Sequence, residues 1–425
     1  MMHAGRYDAS REVFRRAQQV IPGGIHVSGT PLVDLERSPL YFERGAGSHI
    51  WDADGHEYID FIMAYGPFLL GYAHPEVDDA AIGQLRRGNL LSLNHPLHVQ
   101  FAEAVLQRFQ NSDMVLFVKT GSEATTAALR VARRVTGRRK IARAGYHGWH
   151  DWCTPEAEFV PAGLGDQVVF YDAMQPSTLK TILDEHPGEF AAVILAPEMV
   201  HPPSRATVLE LMESTARHGA LFIMDEVKTG FRAPGGSMQA YYNVRPDLTT
   251  LSKALGNGWP VAAVVGTRSV MRYAVDLPVS ATYHGETAAM AAALATLTVI
   301  ERDNAREYVD AAGQRFIDGL NAAARRNNVM AVAYGEPIPA MPFLAFVHPD
   351  AEKNERLKAM VYEQAIAAGI LLHPRHLWYV STAHTQAEID RAVETIDRAM
   401  HAAISACPEL GGNIDAQSRM QLAAF

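Results

Sequence analysis

Cysteine is nearly absent: the 425 residues hold two, Cys153 and Cys407. That is too few for a disulfide framework and points to a reduced compartment. No apolar stretch approaches the 18 residues of a membrane-crossing helix, and Asp8, Glu12 and several arginines stand where a secretory signal would be hydrophobic. Basic charge is not in excess either; the net charge is -9. Nucleic acid and acidic membranes call for a concentrated basic face. The one basic run (Arg133, Arg134, Arg138, Arg139 and Lys140) reads instead as the wetted end of a helix. The expectation is a cytoplasmic protein with neither nucleic acid nor membrane as partner. Whole classes of catalytic motif are missing as well. There is no GxxxxGK[ST], no GxGxxG opening a βαβ unit, no HExxH and no clustered CxxC. Those absences argue against P-loop hydrolysis, a dinucleotide site and a patterned zinc centre. The spaced pairs His147/His150 and His373/His376 supply too few ligands to hold a metal.

What is present has ordinary globular composition, 48% hydrophobic and 20% charged, in a chain long enough for two or three domain-sized units. Ala9 to Ile21 has helical spacing and stops at Pro22-Gly23-Gly24. Leu40 to Phe42, Ser48 to Asp52 and Tyr58 to Phe61 read as strands, the last two joined by the Asp54-Gly55 turn. Helices are expected from Pro75 to Arg87 and from Pro96 to Phe109. From Val115 onward short apolar strands alternate with helices, the pattern of a mostly parallel sheet covered on both faces. Beyond about residue 310 the texture becomes α+β, with strands at Phe343 to Val347 and Leu377 to Ser381 and helices at Glu352 to Ala368 and Gln386 to Ile404. The expected division is therefore 1–75, an N-terminal helix and hairpin packing with the small domain; 76–310, a large domain; and 311–425, the small α+β domain.

Three segments can carry chemistry. Lys119-Thr120-Gly121-Ser122-Glu123-Ala124 is a strand-to-helix corner whose small residues let a ligand approach the backbone, with a helix start aimed at an anion. Asp225-Glu226 follows a buried strand, at the sheet edge where α/β folds bind ligands. A shielded carboxylate there needs a cationic partner, either a protonated heterocyclic nitrogen or a salt bridge from Arg232 or Lys228. Lys253 lies in an apolar stretch, Pro246 to Gly256, where desolvation favours a neutral or converted amine. One anion site, one acid and one isolated lysine are what pyridoxal 5'-phosphate (PLP) requires, together with a surface against its ring. Tyr146 or His147 could supply one face and Val227 the other.

These segments, above all Phe222 to Arg232 followed by Pro246 to Lys253, resemble the class III aminotransferases of PLP fold type I. The likeness is to the branch holding glutamate-1-semialdehyde aminomutase, D-phenylglycine aminotransferase and polysaccharide-cluster aminotransferases. It implies a large domain with a mostly parallel seven-stranded sheet and a smaller α+β domain. Lys253 resembles the internal-aldimine lysine, Asp225 the partner of the pyridine nitrogen, Gly121 and Ser122 the phosphate turn, Tyr146 the stacked residue and Val227 the one beneath the ring. Thr282 resembles the threonine that reaches the phosphate of the neighbouring subunit, which implies a homodimer. Glu198, in an inverted Pro197-Glu198, resembles a residue supporting the cofactor. Tyr65 falls where the aminomutase has a pocket tryptophan; His26, Arg375 and Trp378 are further substrate candidates. Two departures stand out. The aminomutase has an arginine soon after its Pro-Gly-Gly turn to hold the substrate carboxylate, whereas no arginine occurs here between Arg16 and Arg37. Gly285-Glu286-Thr287 replaces the common Gly-Asn-Pro. The resemblance implies amino transfer between a small-molecule donor and an oxo-acid, aldehyde or ketone acceptor; an aminomutase and a racemase are the alternatives.

Overall fold

The computed structural model describes residues 6–25, 39–109, 111–154, 163–197, 202–412 and 414. The chain divides into two compact units: Pro75–Arg306, and Met1–His74 together with Glu307–Phe425.

The Pro75–Arg306 unit is built on seven strands: β1 (Met114–Val118), β2 (Lys140–Ala144), β3 (Val168–Phe170), β4 (Phe190–Leu195), β5 (Leu221–Asp225), β6 (Leu248–Leu251) and β7 (Ala262–Gly266). Their spatial order is β1-β7-β6-β5-β4-β2-β3. From β3 through β6 every neighbouring pair is parallel, and β7 alone runs antiparallel to its two neighbours. β4 is buried at all six positions, as expected for a central strand covered on both faces. Helix α1 (Gly121–Thr136) follows β1 and presents Ala124, Ala128, Leu129, Val131 and Ala132 to a core shared with Ile141, Ala192, Ile194, Ile223 and Val264. Small alanines on that face let the helix lie close to the sheet.

The cap of α1 is Thr120, its hydroxyl accepting from the Glu123 amide at 3.2 Å while the Glu123 carboxylate accepts from the amides of Thr120 and Lys119. This capping box contributes about 1 kcal/mol and leaves the Ser122 hydroxyl for other partners. β6 went unread, because Leu248-Thr-Thr-Leu251 has polar residues at its centre. Both threonines are buried, and each meets a specific polar partner: Gln239 for Thr249 and Asp225 for Thr250.

The other unit holds a four-stranded sheet, Phe42–Ala46, His49–Asp52, Glu57–Asp60 and Ile370–Leu371, in which only the last strand pairs parallel. A two-stranded antiparallel sheet, Ala331–Tyr334 with Phe343–Phe346, and the helices Ala351–Ala367 and Gln386–Ala406 complete an α+β arrangement. The segment from Leu377 to Ser381, read as a strand, forms no ladder. Its amides alternate between neighbours, Trp378 and Val380 donating to Pro342 and Ala340 while Tyr379 donates to Phe61. No described helix is long and apolar enough to cross a membrane.

Candidate active site

Parallel strands end on a common edge, so the residues that follow them gather there. β1 leads into Lys119–Ser122, β2 into the Gly145–Trp149 loop, β5 ends on Asp225, and β6 leads into Ser252 and Lys253.

Asp225 is 4% exposed, and its carboxylate is held from two sides. Oδ1 accepts from the Thr250 hydroxyl at 2.8 Å and the Val227 amide at 3.1 Å. Oδ2 lies 2.8 Å from His147 Nδ1. His147 is itself anchored: its Nε2 is 3.1 Å from the Ala144 carbonyl, its own carbonyl accepts from Thr125, and Trp152 stacks on its ring. His147 therefore stands behind Asp225 and does not offer a ring face. Tyr146, the alternative, is 60% exposed, with Lys228 Nζ 5.3 Å from its ring centroid. Thr250 and Thr125 escaped the sequence reading; a Thr-Thr pair inside an otherwise apolar run was the signal.

The neighbouring acid does something else. Glu226 is fully buried and accepts from the amides of Met238 and Gln239, which begin the short helix Met238–Tyr242. Burial pushes its carboxyl up to about 7 despite these bonds. One acid faces the sheet edge, and its neighbour starts a helix.

The Gly121–Ser122 corner is tight. A Cβ on Gly121 would sit 2.8 Å from Val227 Cγ1, and one on Gly148 would sit 2.2 Å from Ser122 Oγ. The Trp149 amide donates to that same hydroxyl at 3.3 Å. Lys253 is half-buried and takes φ +49°, a left-handed conformation that costs a non-glycine residue on the order of 1–3 kcal/mol. Such strain persists where surrounding structure over-determines the residue, and functional sites are where it collects.

PLP fits these residues. Its phosphate suits the start of α1, where side chains have been trimmed to glycine. A protonated ring nitrogen suits a buried carboxylate whose described partners are a histidine, a hydroxyl and an amide. Val227 and the exposed ring of Tyr146 provide apolar surface.

Thr282 is exposed, in a segment before the helix Ala288–Arg302. In the other unit Tyr65 is half-buried on an unusual turn: Met63, Ala64 and Tyr65 all have positive φ, followed by Gly66 at +103°. Its ring meets His373 and His376 edge-on at 5.7 and 5.2 Å. Trp378 is fully buried against Phe316 and Tyr362 and donates to the His373 carbonyl, so it shapes surface only through its neighbours. Arg375 is an exposed guanidinium 3.8 Å from Glu355, the arrangement of a surface ion pair and not of a built carboxylate clamp. His26 and Glu198 lie outside the described residues.

A seven-stranded sheet ending on a buried aspartate, a strained lysine and a glycine-lined helix start defines a fold type I PLP-dependent enzyme. Comparison with known proteins agrees. Residues 33–400 match the aminotransferase class-III family, and the chain belongs to it. It is 33% identical over 397 residues to 3-aminobutyryl-CoA aminotransferase of Cloacimonas acidaminovorans, covering 91% of this chain and 95% of that protein. To glutamate-1-semialdehyde 2,1-aminomutase of Natranaerobius thermophilus it is 30% identical over 424 residues, covering 93% and 98%. Among solved structures, the PLP internal aldimine form of the Sphingopyxis sp. MTA144 FumI protein superposes with a TM-score of 0.88 at 30% identity, covering 95% of this chain and 99% of that one.

Proposed function

We propose that the protein is an intermolecular aminotransferase, taking an amino group from one small molecule and delivering it to an oxo-acid, aldehyde or ketone acceptor. One observation carries this over the aminomutase: no arginine occurs between Arg16 and Arg37, where the aminomutase holds its substrate's carboxylate. The similarity to 3-aminobutyryl-CoA aminotransferase supports the same choice.

When bound, PLP supplies an aldehyde that captures amines and a ring that absorbs the electrons of a carbanion. In this reading the Lys253 amine would hold the cofactor's aldehyde and, once the donor amine has taken its place and left it free, would move the proton of the substrate carbon as general base and acid. Asp225 keeps the proton on the ring nitrogen, and His147 and Thr250 hold Asp225 in place. Gly121 and Ser122 take the phosphate, and Val227 and Tyr146 border the ring. The working form is a cytoplasmic homodimer in which Thr282 reaches the cofactor of the partner subunit.

Single donors mixed with the PLP-loaded enzyme test the assignment. A donor alone should bleach the visible cofactor absorption, and a subsequent acceptor should restore it. If no amine bleaches it and an amino-aldehyde alone is turned over, the enzyme is an aminomutase. Borohydride reduction should leave a pyridoxyl group on Lys253 and on no other lysine.

A further inference from the structure

The Gly285-Glu286-Thr287 departure acquires a role once its surroundings are known. Glu286 is 9% exposed, and its Oε2 lies 2.6 Å from Lys119 Nζ. Its Oε1 accepts from the amides of Ala288 and Ala289, at 2.8 and 3.1 Å, at the start of the helix Ala288–Arg302. Lys119 is the residue immediately before the Thr120–Ser122 corner, and its amide donates to Glu123 of the capping box. A second contact runs the same way, with His284 Nε2 3.5 Å from the other Glu123 oxygen. Two stretches 167 residues apart, the corner at 119–123 and the segment at 282–288, are thus joined through polar side chains.

We propose that the Lys119–Glu286 pair is a positioning joint between two cofactor sites, tying the corner that holds this subunit's phosphate at Gly121 and Ser122 to the segment whose Thr282 serves the phosphate of the partner subunit. The inference rests on the reading that Thr282 reaches a cofactor phosphate. Thermal stability alone does not account for the pair. Desolvating two charges offsets much of their attraction, and setting a register is the best-attested use of such a pair. Beyond the pair, the segment is tied to residues 84–98 by hydrogen bonds: His98 to the Gly285 carbonyl, Gln84 to the Thr287 hydroxyl, and Thr287 to the Asn89 carbonyl. The Lys119 ammonium ties it to the corner.

The test uses K119M, E286Q, the double variant K119M/E286Q and T282A. Each is measured by PLP titration of the apoenzyme well below its melting temperature, and by melting of the apo and loaded forms. Each single variant of the pair should bind PLP roughly tenfold or more weakly and melt lower, because the remaining charge is left buried without its partner. The double variant should regain the melting temperature but not the PLP affinity, since the charge penalty is gone and the register is still lost. A double variant that recovers affinity together with stability overturns the proposal, and so do single variants that bind PLP like the parent enzyme. If T282A binds PLP unchanged, the reading of Thr282 fails and takes the joint's purpose with it. If T282A weakens binding and the pair variants do not, only the joint is overturned.

Discussion

Gly148→Ala puts the cofactor corner to a quantitative test. Gly148 has φ +109°, outside the range L residues adopt readily, and an added Cβ would lie 2.2 Å from Ser122 Oγ, 2.8 Å from Ser122 Cβ and 3.0 Å from Ser122 Cα. The hydroxyl could rotate away, but the Cβ and Cα cannot. The loop must therefore retreat from the start of α1 by about 1 Å to restore van der Waals spacing. Overpacking of this kind costs about 1–3 kcal/mol and the backbone strain a further 1–3 kcal/mol. The retreat also breaks the bond from the Trp149 amide to the Ser122 hydroxyl. If that corner holds the phosphate, the variant should bind PLP at least tenfold more weakly, equivalent to about 1.4 kcal/mol. Gly137→Ala is the control. It sits at the other end of α1 at φ +70°, with nothing within 4 Å of its Cβ, so it should cost about 1 kcal/mol of stability and leave PLP affinity alone. PLP titration and thermal melting of both variants decide the matter. Parent-like affinity in a folded Gly148→Ala protein would refute the placement of the phosphate at this corner.

Three more outcomes are expected. Asp225→Asn keeps the oxygen that Thr250 and Val227 donate to but loses the charge, so turnover should fall by about 10²-fold or more with little change in melting temperature; steady-state kinetics within threefold of the parent would contradict the role given to Asp225. Glu388 is pushed up by burial, but hydrogen bonds from Thr385, Ser48 and His49 outweigh that and bring it down to about 2. A lowered carboxyl stabilises the fold above its ordinary value of 4.5 and loses that contribution as pH falls toward 2, by at most about 3 kcal/mol. Denaturant unfolding of Glu388→Gln should therefore show a flatter acid limb over that window, and an unchanged slope would exclude the network. Ala64 is exposed at φ +50° inside the left-handed run under Tyr65. Ala64→Gly should relieve strain and stabilise by roughly 0.5–1 kcal/mol, read as a small rise in melting temperature; a fall would show the turn is not strained.

Lys253, the buried Asp225 and the tight Gly121–Ser122 corner stood out in the sequence because each is a local anomaly: a charge in an apolar run, an acid ending a buried strand, small residues between a strand and a helix. The smaller unit was less legible. Ile370–Leu371 makes only two ladder pairs, too short for any periodicity, and Leu377 to Ser381 has a strand's composition without a strand's neighbours. Thr120 and Ser122 are both competent caps in the sequence, and only the reach of Glu123 selects Thr120.

Hydrophobic spacing along the chain determined the alternation of strands and helices, since burial of one face is a local requirement that each segment meets with its own residues. The sequence alone also placed the chemistry-bearing residues at strand ends. Which groups meet was decided in three dimensions: His147 with Asp225, Thr250 with Asp225, and Lys119 with Glu286 lie 78, 25 and 167 residues apart. A polar side chain is buried only where a partner arrives to satisfy it, and that partner comes from the order in which the strands assemble, which no local pattern records.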